Sequence, residues 1–421
     1  MSLIKNSFWN ISGYVIPFII SIPSLGYLAR TLGIELFGLY TLCLAIVGYA
    51  GIFDAGISRA VVREIAIYRN NYEEKNRIIS NSLFLLSLLS IIGAGALVFF
   101  STSIVTILNV NGLYTSQVKS AIHLISIALP IFLLTQVMMA ILEGQEKFKL
   151  FNFIRTISSS CISFFPAIFV YLSSSNSLIF AIIGLLIARI MALILSFYFC
   201  FHKEHVKFRL PCIKIIIRLI KFGGWITITN IISPIMTYFD RFILSHNMGA
   251  QNVAFYTAPS EGISRISIIP SALSRAIFPK LSNAKNKKER LEYEKTGLLL
   301  MFIISSPIFI LGFLFSKDIL EAWMGTEFSG TPSDVFKILL VGFLFNALAQ
   351  IPYSSLQASG YSNITAYIHI SELIPYLVTL FYLVSYFGVL GAATAWSIRM
   401  FIDMSILIII NIKIKRFDDN G

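Results

Sequence analysis

The stretch YTAPSEGISRISIIPSALSRAIFPKL, Tyr256–Leu281, has the isoleucine, alanine and phenylalanine content of a helix meant for lipid. Yet it carries Glu261, Arg265 and Arg275, a ladder of serines, and prolines at 259, 270 and 279. A charged side chain at the centre of a crossing helix costs about 2.5–3.5 kcal/mol on insertion scales, so it is normally kept for a partner or a wet cavity. Whether this segment crosses a membrane, and what its charges face, decides the fold and much of the function.

The surrounding chain answers the first point. Of its 421 residues, 56% are apolar and 13% charged, and the mean hydropathy is +0.79. Soluble domains carry about 25% charged residues, so a globule of this composition would lack the polar surface to cover itself. A hydrocarbon core of about 30 Å needs roughly 20 apolar residues per helix. Twelve such runs occur, at approximately 7–29, 36–57, 78–100, 120–142, 154–173, 178–200, 222–245, 253–277, 297–315, 337–356, 367–387 and 389–411. The seventh and eighth are the most polar. The first reaches spanning length without a small-residue cleavage site, and reads as a retained helix rather than a signal peptide.

Basic residues set the orientation. With both termini cytoplasmic, 25 of the 33 lysines and arginines fall in inside segments and five outside (Arg30, Lys119, Arg241, Lys317, Lys337). Arg189, Arg265 and Arg399 fall within spans. The net charge of +12 is therefore chiefly a topology signal, and nucleic acid is a poor partner. Outside loops of at most about 20 residues leave no room for an extracytoplasmic catalytic domain, so no enzyme is expected. Cys43, Cys161, Cys200 and Cys212 share no metal or redox spacing, and read as small buried residues. Neither a Gly-rich phosphate loop nor an HExxH is present. No cofactor or metal is expected, and any driving force is an ion gradient or the substrate's own.

Shifting the chain by 216 residues aligns Tyr40-Thr41 with Tyr256-Thr257 and Ser58-Arg59-Ala60 with Ser274-Arg275-Ala276. It also pairs Lys5 with Lys221, Trp9 with Trp225 and Gly33 with Gly249. Twelve of the 56 positions from Lys5 to Ala60 are identical. The shift spans six predicted helices, so the repeats share one orientation, as in transporters whose halves are related about the membrane normal. The predicted organisation is a six-helix lobe over 1–200, a basic cytoplasmic linker over 201–221, a second six-helix lobe over 222–412 and a cytoplasmic tail over 413–421.

Several stretches resemble one family in order along nearly the whole chain. They are RTLGIELFGLYTL, FDAGISRAVVREIA, LEGQEKF, YFDRFILSHNMGAQNVAFYTAPSE, SRAIFPKLS, EAWMGTEFS, QASGYSNITAY and GVLGAATAWSIRM. The chain resembles the Wzx-type O-antigen and polysaccharide repeat-unit flippases of the MOP superfamily, whose relatives include MATE drug exporters and lipid II flippases. The resemblance implies an all-α, MOP/MATE-like protein of twelve helices in two lobes in the bacterial inner membrane. It implies movement of a polyprenyl-diphosphate-linked oligosaccharide, an O-antigen or capsule repeat unit, from the cytoplasmic to the outer leaflet. Polymerase and chain-length proteins would be partners. A lipid II flippase typically adds two further helices, which this chain lacks.

Such a substrate carries at least two negative charges and many hydroxyls, and its head group cannot cross hydrocarbon unaided. Arginines suit it through bidentate phosphate contact. The expected cationic lining is Arg189, Arg265, Arg399 and Arg241, with Asn230 and Thr237 for hydroxyls. Glu261, Asp240, Glu372 and Asp403 would balance that charge or couple it to H⁺ or Na⁺; Arg59, Arg275 and Asp54 are secondary candidates. Two readings stand side by side. Glu261–Arg265 and Arg399–Asp403, at i,i+4, are closed intrahelical pairs or cavity groups. Asp240–Arg241 is a pair near the outer membrane surface or part of the site. Arg59 and Arg275, at matched repeat positions, are anchors or ligands. Glu261 and Arg265 correspond to Ala45 and Tyr49 in the first half, so the second lobe adds charge there. Arg189 has no carboxylate three or four residues away, which leaves a cross-helix partner or a ligand. The rivals are a MATE-like small-molecule exporter and, further off, an integral-membrane polymerase or ligase.

Overall fold

The computed structural model describes residues 3–173, 175–201, 208–284 and 286–417, without the side chains of 3–14, 50, 225–231, 233, 287, 362 and 415–417. Among the described residues every regular element is helical. In order they are α1 (Leu3–Tyr49), α2 (Ile57–Ile67), α3 (Tyr72–Phe99), α4 (Ser101–Ile107), α5 (Thr115–Gly144), α6 (Phe148–Ser173) and α7 (Leu178–Phe201). Then follow α8 (Ile213–Met248), α9 (Ala250–Ile266), α10 (Ile268–Ser282), α11 (Lys287–Leu314), α12 (Ser316–Met324), α13 (Thr331–Ala358) and α14 (Ser362–Phe417).

Among the described residues, eight stretches are long and apolar enough to cross a membrane. Two of them are bent at glycine. In α1 the bend is at Gly33 (φ 75, ψ 171), between the predicted spans 7–29 and 36–57. In α14 it is at Gly388 (φ 57, ψ −129), between 367–387 and 389–411. Positive φ breaks the helix where a side chain would not follow. The two most polar predicted spans, α8 and α9–α10, are helical but fall outside the eight.

Two glycines paired by the 216-residue shift share one backbone conformation. Gly249, 216 residues after Gly33, has φ 80 and ψ 170. A Cβ at either glycine would meet nothing within 4 Å, so the backbone conformation, not crowding, demands glycine. Two further starts match in kind. Asn71 caps α3 by accepting from the Glu74 N–H (3.1 Å), and Asn286 caps α11 by accepting from the Glu289 N–H (2.8 Å).

The chain parts into two compact units, Met1–Gln251 and Asn252–Gly421. In the first, α5 packs on α3 and α7, α6 on α7 and α1, and α8 lies along α1, α2 and α3. The crossing of α8 over the Ala55-Gly56 turn is close. A Cβ on Gly56 would stand 2.2 Å from the Gly223 carbonyl oxygen, and one on Gly223 2.7 Å from that of Ala55. Beside it, Arg218 Nε lies 2.9 Å from buried Glu64 and the guanidinium 5.1 Å over the Tyr68 ring. In the second unit α13 packs against α14, α11 and α10. Ser355, Glu294 and Asn411, all buried, hydrogen-bond together there with Arg290.

The opening segment is two helices rather than one. Ser267 interrupts it between α9 and α10. Pro270 has no N–H to offer the Ile266 carbonyl, and the chain turns there.

Candidate functional site

Two clusters of charged side chains stand out, one in each unit. The first is built on α7. Gly184 lets α7 approach α6 closely: a Cβ there would meet the Phe165 carbonyl oxygen at 2.5 Å and Pro166 Cα at 2.9 Å. Ala188 and Ala192 continue this small face at four-residue steps and are buried. Arg189, next in the chain, borders a cavity of about 540 Å³, within the range that holds drug-sized ligands. Its walls come from the turn before α2 and from α2, α5, α6, α7 and Pro234 of α8, and carry Arg59, Arg155 and Arg189 against Asp54 and Glu143.

The charges in this cavity are not equally engaged. Asp54 accepts from both the N–H and the hydroxyl of Ser58 in the first turn of α2. Arg59 lies 3.6 Å from Glu143. Arg189 has neither an ion pair nor a hydrogen bond among the described residues, and its Nε is buried without an acceptor. Its guanidinium sits 4.8 Å over the ring of Phe132. Ser158, on the cavity wall, is also buried with an unpartnered hydroxyl.

The second cluster joins the two halves of α14. Arg399 Nε is 3.7 Å from Glu372, and His369 Nδ1 lies 3.8 Å from Glu372 and 3.9 Å from Asp403. Glu372 and Asp403 are buried. One ligand atom from each of His369, Glu372 and Asp403 falls within 4.8 Å of the others, close enough to share a proton or a small cation. Arg399 also stacks 5.2 Å over Tyr376.

The other predicted residues are dispersed. Glu261 and Arg265 form the closed i,i+4 pair, at 3.1 Å, one of the two readings left open. Asp240 and Arg241 are both buried, Asp240 accepting from the Arg241 N–H (2.7 Å) and Arg241 lying 5.2 Å over Tyr238. That is burial where a surface pair was one expectation. Thr237 and Arg275 are exposed. The Asn230 side chain lies outside the described residues.

Sequence reasoning missed Phe132, Glu143, Arg155 and Ser158. Arg155 was absorbed into the basic-loop signal, because helix 154–173 was predicted to begin beside it. In fact α6 starts at Phe148, so Arg155 lies about two turns inside the helix. The available signal was Arg155, Ser158 and Ser159 at i, i+3 and i+4, one polar helical face.

Comparison with known proteins shows the family and the fold. The profile of the family described as polysaccharide biosynthesis protein matches residues 3–285, and that of MatE matches 226–383. The chain is 49% identical over 407 residues, 97% of each protein, to the "Putative O-antigen transporter" of Shigella flexneri. The chain belongs to the polysaccharide biosynthesis protein family. Within that family's matched region lie Arg59, Arg155 and Arg189; Glu372, Arg399 and Asp403 lie beyond it. The fold is that of the MOP superfamily. An inward-facing multidrug-resistance MATE transporter superposes with a TM-score of 0.79 at 15% identity, covering 97% of this chain and 96% of that one. The lipid II flippase MurJ, inward closed, gives 0.75 at 19% identity over 96% and 87%. This member of the family is thus a multi-pass membrane protein whose relatives are named as transporters or flippases, not as catalysts.

Proposed function

We propose that the chain flips a polyprenyl-diphosphate-linked oligosaccharide, an O-antigen or capsule repeat unit, from the cytoplasmic to the outer leaflet of the bacterial inner membrane. The observation that carries this reading is Arg189, a guanidinium inside a polar cavity with no carboxylate and no hydrogen bond of its own. A cation left uncompensated in a membrane protein is costly, and a diphosphate supplies the missing charge and acceptors. Arg155 lines the same cavity and meets the second phosphate, and Ser158 and Ser159 meet hydroxyls. The polyprenyl tail stays in lipid. The O-antigen transporter relative and the lipid II flippase fold support the same cargo class.

The chain crosses twelve times with both termini cytoplasmic, as lobes 1–200 and 222–412 joined by 201–221, and works by alternating access. His369, Glu372 and Asp403 take up the coupling H⁺ or Na⁺. Polymerase and chain-length proteins receive the delivered unit. The MatE match supports a second reading, a small-molecule exporter. The cavity, with three arginines against two carboxylates, argues against organic cations as its cargo.

Reconstitution into liposomes tests the proposal. A defined lipid-linked oligosaccharide should exchange leaflets faster than in protein-free vesicles, and respond to an imposed H⁺ or Na⁺ gradient. Losing hydrogen bonds to a charged group, about 1.5–3 kcal/mol, should slow exchange by Arg189→Gln about 30-fold. Undiminished exchange by a variant with Arg59, Arg155 and Arg189 all changed to Gln removes the reading.

A further inference from the structure

We infer that Phe132 is a positioning residue for anion binding: its ring holds the Arg189 guanidinium by one face, so that the N–H edges stay free for a diphosphate. The inference rests on the flippase reading above and adds to it the group that makes Arg189 selective.

The geometry has three parts. The guanidinium carbon lies 4.8 Å from the Phe132 ring centroid, within the range of cation–π attraction. The ring is itself seated: Phe132 packs against buried Leu129 and Leu133, and Gly93 of α3 lets Leu129 and Phe53 of the same cluster close up, since a Cβ there would meet them at 2.8–3.0 Å. And Nε is buried with no acceptor.

A carboxylate in place of the ring would satisfy Arg189 better and ruin it as a ligand. It would occupy N–H donors and cancel the charge, and an arriving phosphate would have to break a buried ion pair. An aliphatic side chain would leave charge and donors intact but would not fix the guanidinium plane. An aromatic ring attracts the cation through its quadrupole yet accepts no conventional hydrogen bond, so all five donors and the full charge remain. Planar donors held in one orientation favour bidentate contact with phosphate oxygens. The cavity contains the contrasting case. Arg59 faces Glu143, a carboxylate partner of the kind Arg189 is spared.

The test measures binding of polyprenyl diphosphate, without sugar, to the full chain in detergent. Polyprenyl alcohol serves as the uncharged control, and inorganic diphosphate as competitor. Phe132→Leu should weaken polyprenyl diphosphate about tenfold and leave polyprenyl alcohol unchanged. Phe132→Tyr and Phe132→Trp should bind within about threefold of the parent, because ring and quadrupole persist. Phe132→Glu should lose diphosphate binding and its inhibition by inorganic diphosphate, while melting at or above the parent temperature. A purely structural role for Phe132 predicts that Leu, Tyr and Trp weaken both lipids together, and that result overturns the inference. So does equal diphosphate binding by Leu and Trp when Arg189→Gln has lost it; in that case the flippase reading stands. If Arg189→Gln binds diphosphate like the parent, the reading itself fails.

Discussion

Arg189 differs from the half-buried arginines of the second unit. In the first unit it borders a cavity with neither an ion pair nor a hydrogen bond among the described residues. In the second, Arg399 and Arg265 are set against carboxylates, at 3.7 and 3.1 Å. Paired groups can store a proton or hold a helix in register; an uncompensated one can do little except wait for an anion. Under the proposed function the contrast assigns anion recognition to the first unit and ion response to the second. Charge content alone would not show it, since the second half has more charge within its predicted spans.

The sharpest way to break the comparison is one substitution in both places. Removing Arg399 strands Glu372, which is 5% exposed, beside Asp403 and leaves His369 as the cluster's remaining base. Breaking a buried pair from one side costs about 3–5 kcal/mol. Arg399→Gln should therefore lower the unfolding midpoint in detergent clearly, and Arg399→Gln with Glu372→Gln should recover most of it. Equal losses in the single and double variants would mean that Glu372 does not need Arg399.

Arg189→Gln should do the reverse. It removes a desolvated cation that no carboxylate compensates, so stability should hold or rise while leaflet exchange falls about 30-fold. A melting loss matching that of Arg399→Gln would show that Arg189 has a structural partner, and would erase the distinction between the units.

A third substitution sharpens the relation between the halves. Gly33 and Gly249 share φ near 75–80° and ψ near 170°, a region nearly closed to other residues. Alanine at either should cost about 1–3 kcal/mol, and by nearly equal amounts, since neither site has a neighbour within 4 Å of the new Cβ. Thermal melts of the two variants measure this. Unequal costs would mean that the repeat's corners carry different loads.

These glycines also mark how far the sequence could be read. The membrane class, most helices, the repeat and the corner at Gly33 follow from hydropathy and a 216-residue shift, because lipid imposes one coarse rule on long segments. The candidate site follows less well. Arg189 was legible as a cation with no local partner, since helical spacing is a local property. Its neighbours Phe132 and Ser158 come from α5 and α6, and cross-helix packing leaves no periodic trace in one sequence. Asp403 shows the same limit. Its i,i+4 neighbour is Arg399, yet Arg399 pairs with Glu372, and His369, from the far side of the Gly388 bend, reaches Asp403.

The smallest effect belongs to the pair that first draws the eye. Glu261 and Arg265 are partly exposed, at 18% and 28% of their side chains, and lie one helical turn apart. Helical pairs of this kind contribute about 0.3–0.5 kcal/mol. A double-mutant cycle with Glu261→Gln and Arg265→Gln should give a coupling energy below about 1 kcal/mol. Exchange by Arg265→Gln should stay within about threefold of the parent, an order of magnitude milder than Arg189→Gln. A loss by Arg265→Gln as large as that of Arg189→Gln would place the anion's path through the second unit as well. The comparison between units would then become one between two stations for the same head group, with Glu261 as the group that releases it.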